Sequence, residues 1–103
     1  LKRPNRPTAI FAGSDLQAMG VYEAARQLGL RIPEDLSVVG FDDVQTAAFL
    51  GPALTTVRQP LQDMARAAVR MLIEALSTDD VIQPHIIMPT SLVVRNSTQQ
   101  LEG

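Results

Sequence analysis

The sequence contains no cysteine, and its single histidine is His85. Without cysteine the chain has no disulfide, no thiolate nucleophile and no zinc–thiolate site, and one histidine excludes a multi-histidine metal cluster. No apolar run approaches the ~20 residues that a membrane-spanning helix needs. We therefore expect no metal, no cofactor and no membrane partner, and little scope for histidine-based catalysis.

Basic residues are also scarce. Lys and Arg number 9 and Asp and Glu number 11, which gives the 103 residues a net charge of -2. A protein that reads duplex DNA normally carries a basic face that displaces counterions, so we expect this chain not to bind DNA by itself. The one basic cluster, Lys2, Arg3 and Arg6, is typical of a solvated chain end.

Apolar residues, by contrast, make up 46% of the chain, which is enough for a packed core and excludes a disordered tail. The sequence does not open with a charged segment followed by an apolar one, as an export signal would. We therefore expect a soluble, cytoplasmic protein.

Two apolar runs separated by a helical pattern form the first part of the chain. Residues 8–12 are typical of a strand buried on both faces, and residues 36–41 form a second such run. Between them, residues 15–28 predict a helix with Ser14 as its N-cap and Gly29 at its C-terminal stop. Two strands joined by a helix predict a parallel βαβ unit.

The middle part of the chain continues the alternation of predicted strands and helices. Residues 44–50 predict a short helix capped by Asp43, residues 54–58 a third strand, and residues 60–76 a long helix. The long helix is expected to bury one apolar stripe, consisting of Leu61, Ala65, Ala68, Leu72 and Leu76.

The last quarter of the chain is rich in strand-forming residues. Residues 84–95 are interrupted by Pro89, which cannot lie inside a central strand, so we expect two short strands with a crossing between them. Residues 96–103 are polar and are expected to form a frayed end. The fold class is therefore α/β, with a parallel sheet built from βαβ units.

Polar residues follow the predicted strands at their carboxyl ends, where open α/β sheets bind ligands. Neighbouring parallel strands would bring Ser14, Asp42 and Gln59 to one edge. A carboxylate there can accept hydrogen bonds from adjacent hydroxyls or ring N–H groups, and a hydroxyl or amide adds directional contacts. The alternative is that Ser14 only caps its helix and that Asp42 only caps the following turn.

Five motifs occur in the order and spacing of a known family. They are residues 9–15 (AIFAGSD), 20–35 (from Gly20 through Gly29 to IPED), 36–43 (LSVVGFDD), 54–60 (LTTVRQP) and 89–95 (PTSLVVR). On these motifs the chain resembles the LacI/GalR family, and the similarity extends from residue 7 to residue 98.

The resemblance implies a bacterial transcription regulator. Members of that family carry an N-terminal helix-turn-helix headpiece and a two-lobed core like that of periplasmic sugar-binding proteins. A small effector binds between the lobes, and the core dimerises. Operator DNA would be contacted only through a headpiece outside the present chain.

The same resemblance implies how the chain is divided. Residues 1–58 and 91–103 would belong to the C-terminal lobe, and residues 60–89 to the N-terminal lobe, with crossings near Gln59 and residues 90–91. The expected architecture is a periplasmic-binding-protein-like, Rossmann-like lobe that is incomplete in this chain.

Carried over residue by residue, the resemblance assigns an effector-binding role to five side chains. Asp42 matches the effector-binding acid, and Ser14 matches a position, often Asn or Ser, that contacts the effector. Three more match positions that line the pocket: Gln59, Leu61 and Met64. The implied effector is a sugar or a nucleobase-like molecule.

The sequence also contains a signal for association with another chain. Leu16 and Met19 lie away from the apolar stripe of the first helix, which suggests a covered surface. The family pattern places dimer contacts on this helix and around residues 47–50. The resemblance therefore implies a homodimer with contacts from Leu16, Met19, Ala47 and Leu50.

Two other function classes have to be compared with the regulator. One is the periplasmic sugar-binding protein of an ABC transporter, and a helix-turn-helix or a signal peptide upstream would decide between the two. The other is an enzyme that uses Asp42 and Asp43 as paired carboxylates. Adjacent residues on an extended segment point apart, and no nucleophile–base pair or Gly-x-Gly-x-x-Gly motif is present. We therefore expect no enzymatic activity.

Overall fold

The computed structural model describes residues 4–77 and 86–101. The chain divides into two compact units, of which the first comprises Leu1–Arg58 and Ser91–Gly103 and the second comprises Gln59–Thr90. Some features noted in the sequence lie outside the described residues, namely Lys2, Arg3, Pro84, His85 and residues 102–103.

The first unit is an α/β sheet with four strands in the described part of the chain, in the order β1-β2-β3-β4. Strands β1 (Ala9–Phe11), β2 (Ser37–Asp42) and β3 (Thr55–Arg58) are parallel, and β4 (Ser91–Val93) is antiparallel to β3. The three predicted parallel strands and the short strand after Pro89 are confirmed. Their parallel direction brings the carboxyl ends of β1, β2 and β3 to one edge.

Helix α1 (Asp15–Gln27) connects β1 to β2, as predicted. Its N-cap is Ser14, whose Oγ accepts a hydrogen bond from the Gln17 backbone N–H at 3.1 Å. At the other end Gly29 has a φ of 70°, which lets the N–H groups of Gly29 and Leu30 close back onto carbonyls of the last turn. Both predicted ends of the helix are confirmed.

The core of the first unit combines small and branched apolar side chains. Its buried members are Ala12, Ala18, Ala25, Leu36, Val38, Ala47 and Leu54. Alanine side chains on the inward face of α1 leave room for the helix to pack directly on β2. Gly40 in β2 extends this close approach, because a Cβ at that position would collide with the Asp15 carboxylate of α1 and would lie 2.9 Å from Leu54 Cδ2.

The prediction that the first strand is buried on both faces is wrong. Ala9 and Phe11 are exposed, and 66% of the Phe11 surface is accessible. The physical reason is position, because β1 lies at the edge of the described sheet and pairs only with β2. An apolar run does not distinguish an edge strand from a central one.

The predicted short helix is a 3-10 helix (Gln45–Phe49), and the prediction that Asp43 caps it is wrong. Val44 occupies the N-cap position without a side-chain capping bond. The Asp43 carboxylate instead accepts hydrogen bonds from two arginines, Arg58 and Arg95. In these bonds both partners are charged and both carboxylate oxygens are engaged, whereas in a cap the donor would be a neutral backbone N–H.

The segment after β4 is not the frayed end that its polar composition predicted. Ser97 is fully buried, and its hydroxyl accepts from the Thr55 N–H at 2.8 Å and donates to the Val38 carbonyl. The Asn96 N–H also donates to the Ala53 carbonyl at 3.0 Å. A polar residue is buried here because it completes backbone hydrogen bonds that the strands leave open.

The second unit contains helix α2 (Leu61–Ser77), whose extent was predicted closely. The predicted burial of its apolar stripe is wrong for the chain by itself, because no residue of α2 is buried. The accessible fractions of Leu61, Leu72 and Leu76 are 55%, 61% and 80%. An amphipathic pattern indicates which face can be covered, and here the described residues do not cover it.

Residues 86–88 were predicted to form a strand and do not. A strand requires a neighbour for its backbone hydrogen bonds, and the described residues of the second unit contain no other strand. Across residues 4–77 and 86–101, no helix combines the length and apolar character needed to cross a membrane.

The buried serine gives the first testable prediction. Ser97→Ala leaves the buried Thr55 N–H without its acceptor, so we expect a loss of about 1–3 kcal/mol in the free energy of unfolding. Urea unfolding of the full-length protein measures this loss. The matched control is Ser77→Ala, because the Ser77 hydroxyl is exposed and bonds only to carbonyls of its own helix. Equal stability of the two variants would contradict the role given to Ser97.

Candidate functional site

Strand β2 ends at Asp42, and the chain then turns through Asp43 with an unusual backbone. The φ angles of Asp42 and Asp43 are 120° and 58°. Residues with a Cβ rarely adopt positive φ, and the region near 120° is essentially restricted to glycine, at a cost of about 1–3 kcal/mol for other residues. Because glycine would be less strained at this position, the Asp42 carboxylate is a candidate for a binding role.

A buried carboxylate lies beneath this turn. Asp15 is fully buried, and its carboxylate accepts from the Val44 N–H at 2.8 Å and from Thr56 Oγ1 at 2.6 Å. Thr56 Oγ1 in turn accepts from the Asp43 N–H at 3.3 Å. A Cβ at Gly40 would collide with the Asp15 carboxylate, so glycine is required there. The first turn of α1 and strand β3 therefore fix the backbone of the turn.

The Asp43 side chain is bound by two guanidinium groups. Its Oδ2 accepts from Arg58 Nε and its Oδ1 from Arg95 Nη2, each at 2.7 Å. Arg95 also donates through Nη1 to the Leu54 carbonyl at 2.8 Å. Burial raises the pKa of Asp43, but the hydrogen bonds from the two arginines outweigh it and leave the pKa below its ordinary value. Asp43 is therefore held ionised, with both carboxylate oxygens engaged inside the unit.

The structure brings two of the sequence-predicted site residues to the carboxyl edge of the first unit. Ser14 follows β1 and Asp42 ends β2, and both are half-buried. The Ser14 hydroxyl is already used as the α1 cap, so the capping role is established and leaves its other lone pair for a further contact. The two strands run parallel in register, which places their ends on the same side.

The other three predicted site residues belong to the second unit. Gln59 is its first residue and is half-buried, and its carbonyl accepts from the Leu61 N–H at 2.9 Å. Leu61 and Met64 lie in the first turn of α2 with accessible fractions of 55% and 41%. Their apolar side chains are therefore available for contact with a ligand or another segment.

The residues predicted to mediate dimerisation differ in accessibility. Leu16 is 76% exposed, whereas Met19 and Leu50 are half-buried. Ala47 is fully buried in the core, so its side chain is not available to a partner. Phe49, which the sequence analysis did not select, is 82% exposed on the same 3-10 helix. The tight turn of that helix directs Ala47 inward and Phe49 outward.

Sequence reasoning missed the residues that hold the site in place. Asp15, Thr56 and Arg95 are far apart in sequence and have no periodic signal. An acid in the first helical turn is also the ordinary partner of the helix dipole, which masked the role of Asp15. In the described part of the chain, no group of three or more His, Cys, Asp or Glu side chains is placed to hold a metal ion.

Comparison with known proteins adds to this geometry. A family model described as a periplasmic binding protein-like domain matches residues 1–98. An HTH-type transcriptional regulator encoded in the aml 5' region of Streptomyces limosus is 52% identical over 93 residues, which are 90% of this chain and 26% of the relative. The chain thus spans about a quarter of the length of that curated relative.

Two solved structures of transcriptional regulators are similar to this chain in fold. A LacI family transcriptional regulator from Enterococcus faecalis V583, crystallised with bound ribose, superposes with a TM-score of 0.91 at 31% identity, over 96% of this chain and 37% of that one. A complex of the transcriptional regulator CelR with cellobiose superposes with a TM-score of 0.84 at 36% identity, over 87% of this chain and 28% of that one.

The backbone of Asp42 gives a second prediction. Asp42→Gly and Asp42→Ala both remove the carboxylate and differ only in the Cβ. Because positive φ is strained for any residue with a Cβ, we expect the glycine variant to be more stable by about 1–2 kcal/mol in urea unfolding.

The control for this comparison is the same pair of substitutions inside helix α1. Glu23→Ala should be more stable than Glu23→Gly by about 1 kcal/mol, because alanine favours the helix. The order of glycine and alanine thus reverses between the two positions. An alanine variant at position 42 as stable as the glycine variant would mean that Asp42 is not strained.

Proposed function

The chain belongs to the LacI/GalR family and carries part of its periplasmic binding protein-like core, and from this we propose that it is the effector-sensing and dimerisation part of a transcriptional regulator. In this function a small molecule binds at the carboxyl edge of the sheet and changes the affinity of the whole protein for operator DNA. DNA is contacted through a helix-turn-helix headpiece outside the present chain.

The observation that carries the proposal is the Asp42 carboxylate in its strained turn at the end of β2. Strained backbone persists where the surrounding structure fixes it, and it concentrates at ligand-binding sites. Here the side chains of Asp15 and Thr56 accept hydrogen bonds from the backbone of the turn, and the Asp43 side chain is bound by two arginines. A turn that only reversed the chain direction would not require this support.

A sugar is the effector that this chemistry fits best. A carboxylate accepts two hydrogen bonds from adjacent hydroxyls, and Ser14 can add a hydroxyl. The proposal for Gln59, Leu61 and Met64 as effector-binding residues rests on the family pattern. Ribose and cellobiose are bound in the two related structures, which supports a sugar over the alternative of a nucleobase.

We propose that the two compact units correspond to the lobes expected for this family. We assign residues 1–58 and 91–103 to the C-terminal lobe and residues 60–89 to the N-terminal lobe. The boundaries of the units, at Arg58/Gln59 and Thr90/Ser91, support this assignment. On this view the exposed apolar face of α2 packs against residues of the N-terminal lobe that this chain does not include.

The alternative functions are less well supported. A periplasmic sugar-binding protein would have the same fold, but the relative with the highest identity reported above is an HTH-type transcriptional regulator. The regulators that this chain resembles are not enzymes. In addition, Asp43 is bound to Arg58 and Arg95, which removes it from any pair of catalytic carboxylates with Asp42. We infer that the chain has no enzymatic activity.

Effector binding is tested with the full-length protein. A thermal-shift screen with ribose, cellobiose, maltose and sucrose identifies a ligand, and calorimetry then measures its affinity. Asp42→Asn keeps the shape but removes the charge, so we expect binding to weaken about ten- to hundredfold, as for a lost charge-assisted hydrogen bond. DNA affinity without the sugar should change little.

The matched control is Asp35→Asn, the same substitution at the amino end of β2, where the carboxylate accepts from the Arg31 N–H. This variant should bind the sugar as tightly as the wild type. If Asp42→Asn also binds with wild-type affinity, Asp42 is a structural residue and the proposed site is wrong.

We also propose that the protein dimerises through Leu16 and Met19 of α1 and Leu50 after the 3-10 helix. Leu16→Lys places a charge on this surface, and sedimentation equilibrium of the full-length protein should then show a shift from dimer towards monomer. Leu101→Lys, at an exposed leucine near the end of the chain, is the control and should remain dimeric. An unchanged dimer in Leu16→Lys would exclude this surface.

A further inference from the structure

The Asp43 cluster, defined as Asp43, Arg58 and Arg95, lies next to the proposed effector acid in the chain. The Asp43 side chain is 9% exposed and that of Arg95 is 17% exposed, so this pair is shielded from water. Surface ion pairs contribute little because solvent and salt screen them, but the Asp43–Arg95 pair is shielded and has a hydrogen bond of 2.7 Å. The more exposed Arg58 adds a second bond to the same carboxylate at 2.7 Å. We therefore expect the three side chains of the Asp43 cluster to keep a defined geometry.

The cluster connects the turn to two separate strands. Arg58 is the last residue of β3, and Arg95 lies two residues after the end of β4. Asp42 and Arg58 are also register partners across the β2–β3 pair. Bonds from Arg58 and Arg95 restrain rotation of the Asp43 carboxylate and, through its short side chain, rotation of the backbone at residue 43.

The backbone angles indicate what this restraint does. Asp43, at a φ of 58°, lies in the left-handed region that Asp and Asn tolerate, whereas Asp42, at 120°, does not have that tolerance. Without a restraint on Asp43, concerted rotation of the backbone on both sides of Asp42 could return its φ to ordinary extended values. Its carboxylate would then point in a different direction.

We propose that Asp43 is a positioning residue for the effector site, which uses its bonds to Arg58 and Arg95 to hold Asp42 in the conformation that presents its carboxylate to the sugar. This inference rests on the proposed function. Asp43 itself does not contact the effector, because both of its carboxylate oxygens are engaged by arginine. In this proposal Asp42 binds the effector, whereas Asp43 holds Asp42 in position.

The test uses Asp43→Asn in the full-length protein. Asparagine tolerates the left-handed backbone as aspartate does, so the substitution removes the charge and leaves the backbone preference. Hydrogen–deuterium exchange of a peptide covering residues 42–50 should become about tenfold faster, while peptides from α1 are unchanged. Calorimetry with ribose and cellobiose should show binding about tenfold weaker than in the wild type.

A second variant distinguishes loss of the Asp43–Arg58 bond from misfolding of Asp43→Asn. Arg58→Gln breaks the same bond from its exposed partner, whose side chain is 56% accessible. If the bond itself positions Asp42, the double variant Asp43→Asn/Arg58→Gln binds the sugar no more weakly than the weaker single variant. Additive losses would indicate two independent structural effects and would overturn the proposal.

The control is Glu23→Gln, which removes a carboxylate from a surface ion pair with Arg26 on α1. It should alter neither the exchange of residues 42–50 nor the affinity. Unchanged exchange in Asp43→Asn overturns the inference, whether or not a sugar binds. If neither sugar binds the wild type but exchange accelerates in Asp43→Asn, the support role stands and the proposed sugar class fails.

Discussion

The hydrogen bonds accepted by the Asp15 carboxylate are the constraint on which the rest of the first unit depends. They join the first turn of α1 to the Val44 backbone and to Thr56 of β3. Because Asp15 is fully buried, losing either donor would leave one of its buried carboxyl oxygens without a hydrogen-bond partner. Gly40 leaves the space that this carboxylate occupies. The helix, two strands and the Asp42–Asp43 turn are therefore positioned together.

Much of the fold could be predicted because the relevant signals are local. The 3.6-residue period predicted α1 and α2, and short apolar runs with polar ends predicted β1, β2 and β3. The errors occur where distant segments meet. The exposure of β1 depends on its position at the sheet edge, and the burial of Ser97 depends on Thr55, which is distant in sequence. Composition and periodicity contain no information about such contacts.

Of the candidate site, too, the sequence predicted only the part that follows from a general rule. Parallel strands bring their carboxyl ends together, and this topological rule alone selected Ser14 and Asp42. The rule does not predict backbone angles, so the positive φ of Asp42 was not foreseen. Nor did it foresee Arg95, which follows a different strand, as the partner of Asp43. Asp43 was taken for a helix cap because capping is a local pattern and ion pairing across a sheet is not.

The discontinuous first unit also affects how the protein is made. Its first three strands belong to the early part of the chain, whereas β4 and Ser97 come after the entire second unit. During translation, the Thr55 N–H and one edge of β3 lack their partners until the ribosome has synthesised these later residues. The nascent chain therefore exposes the unpaired edge of β3 while α2 is being synthesised.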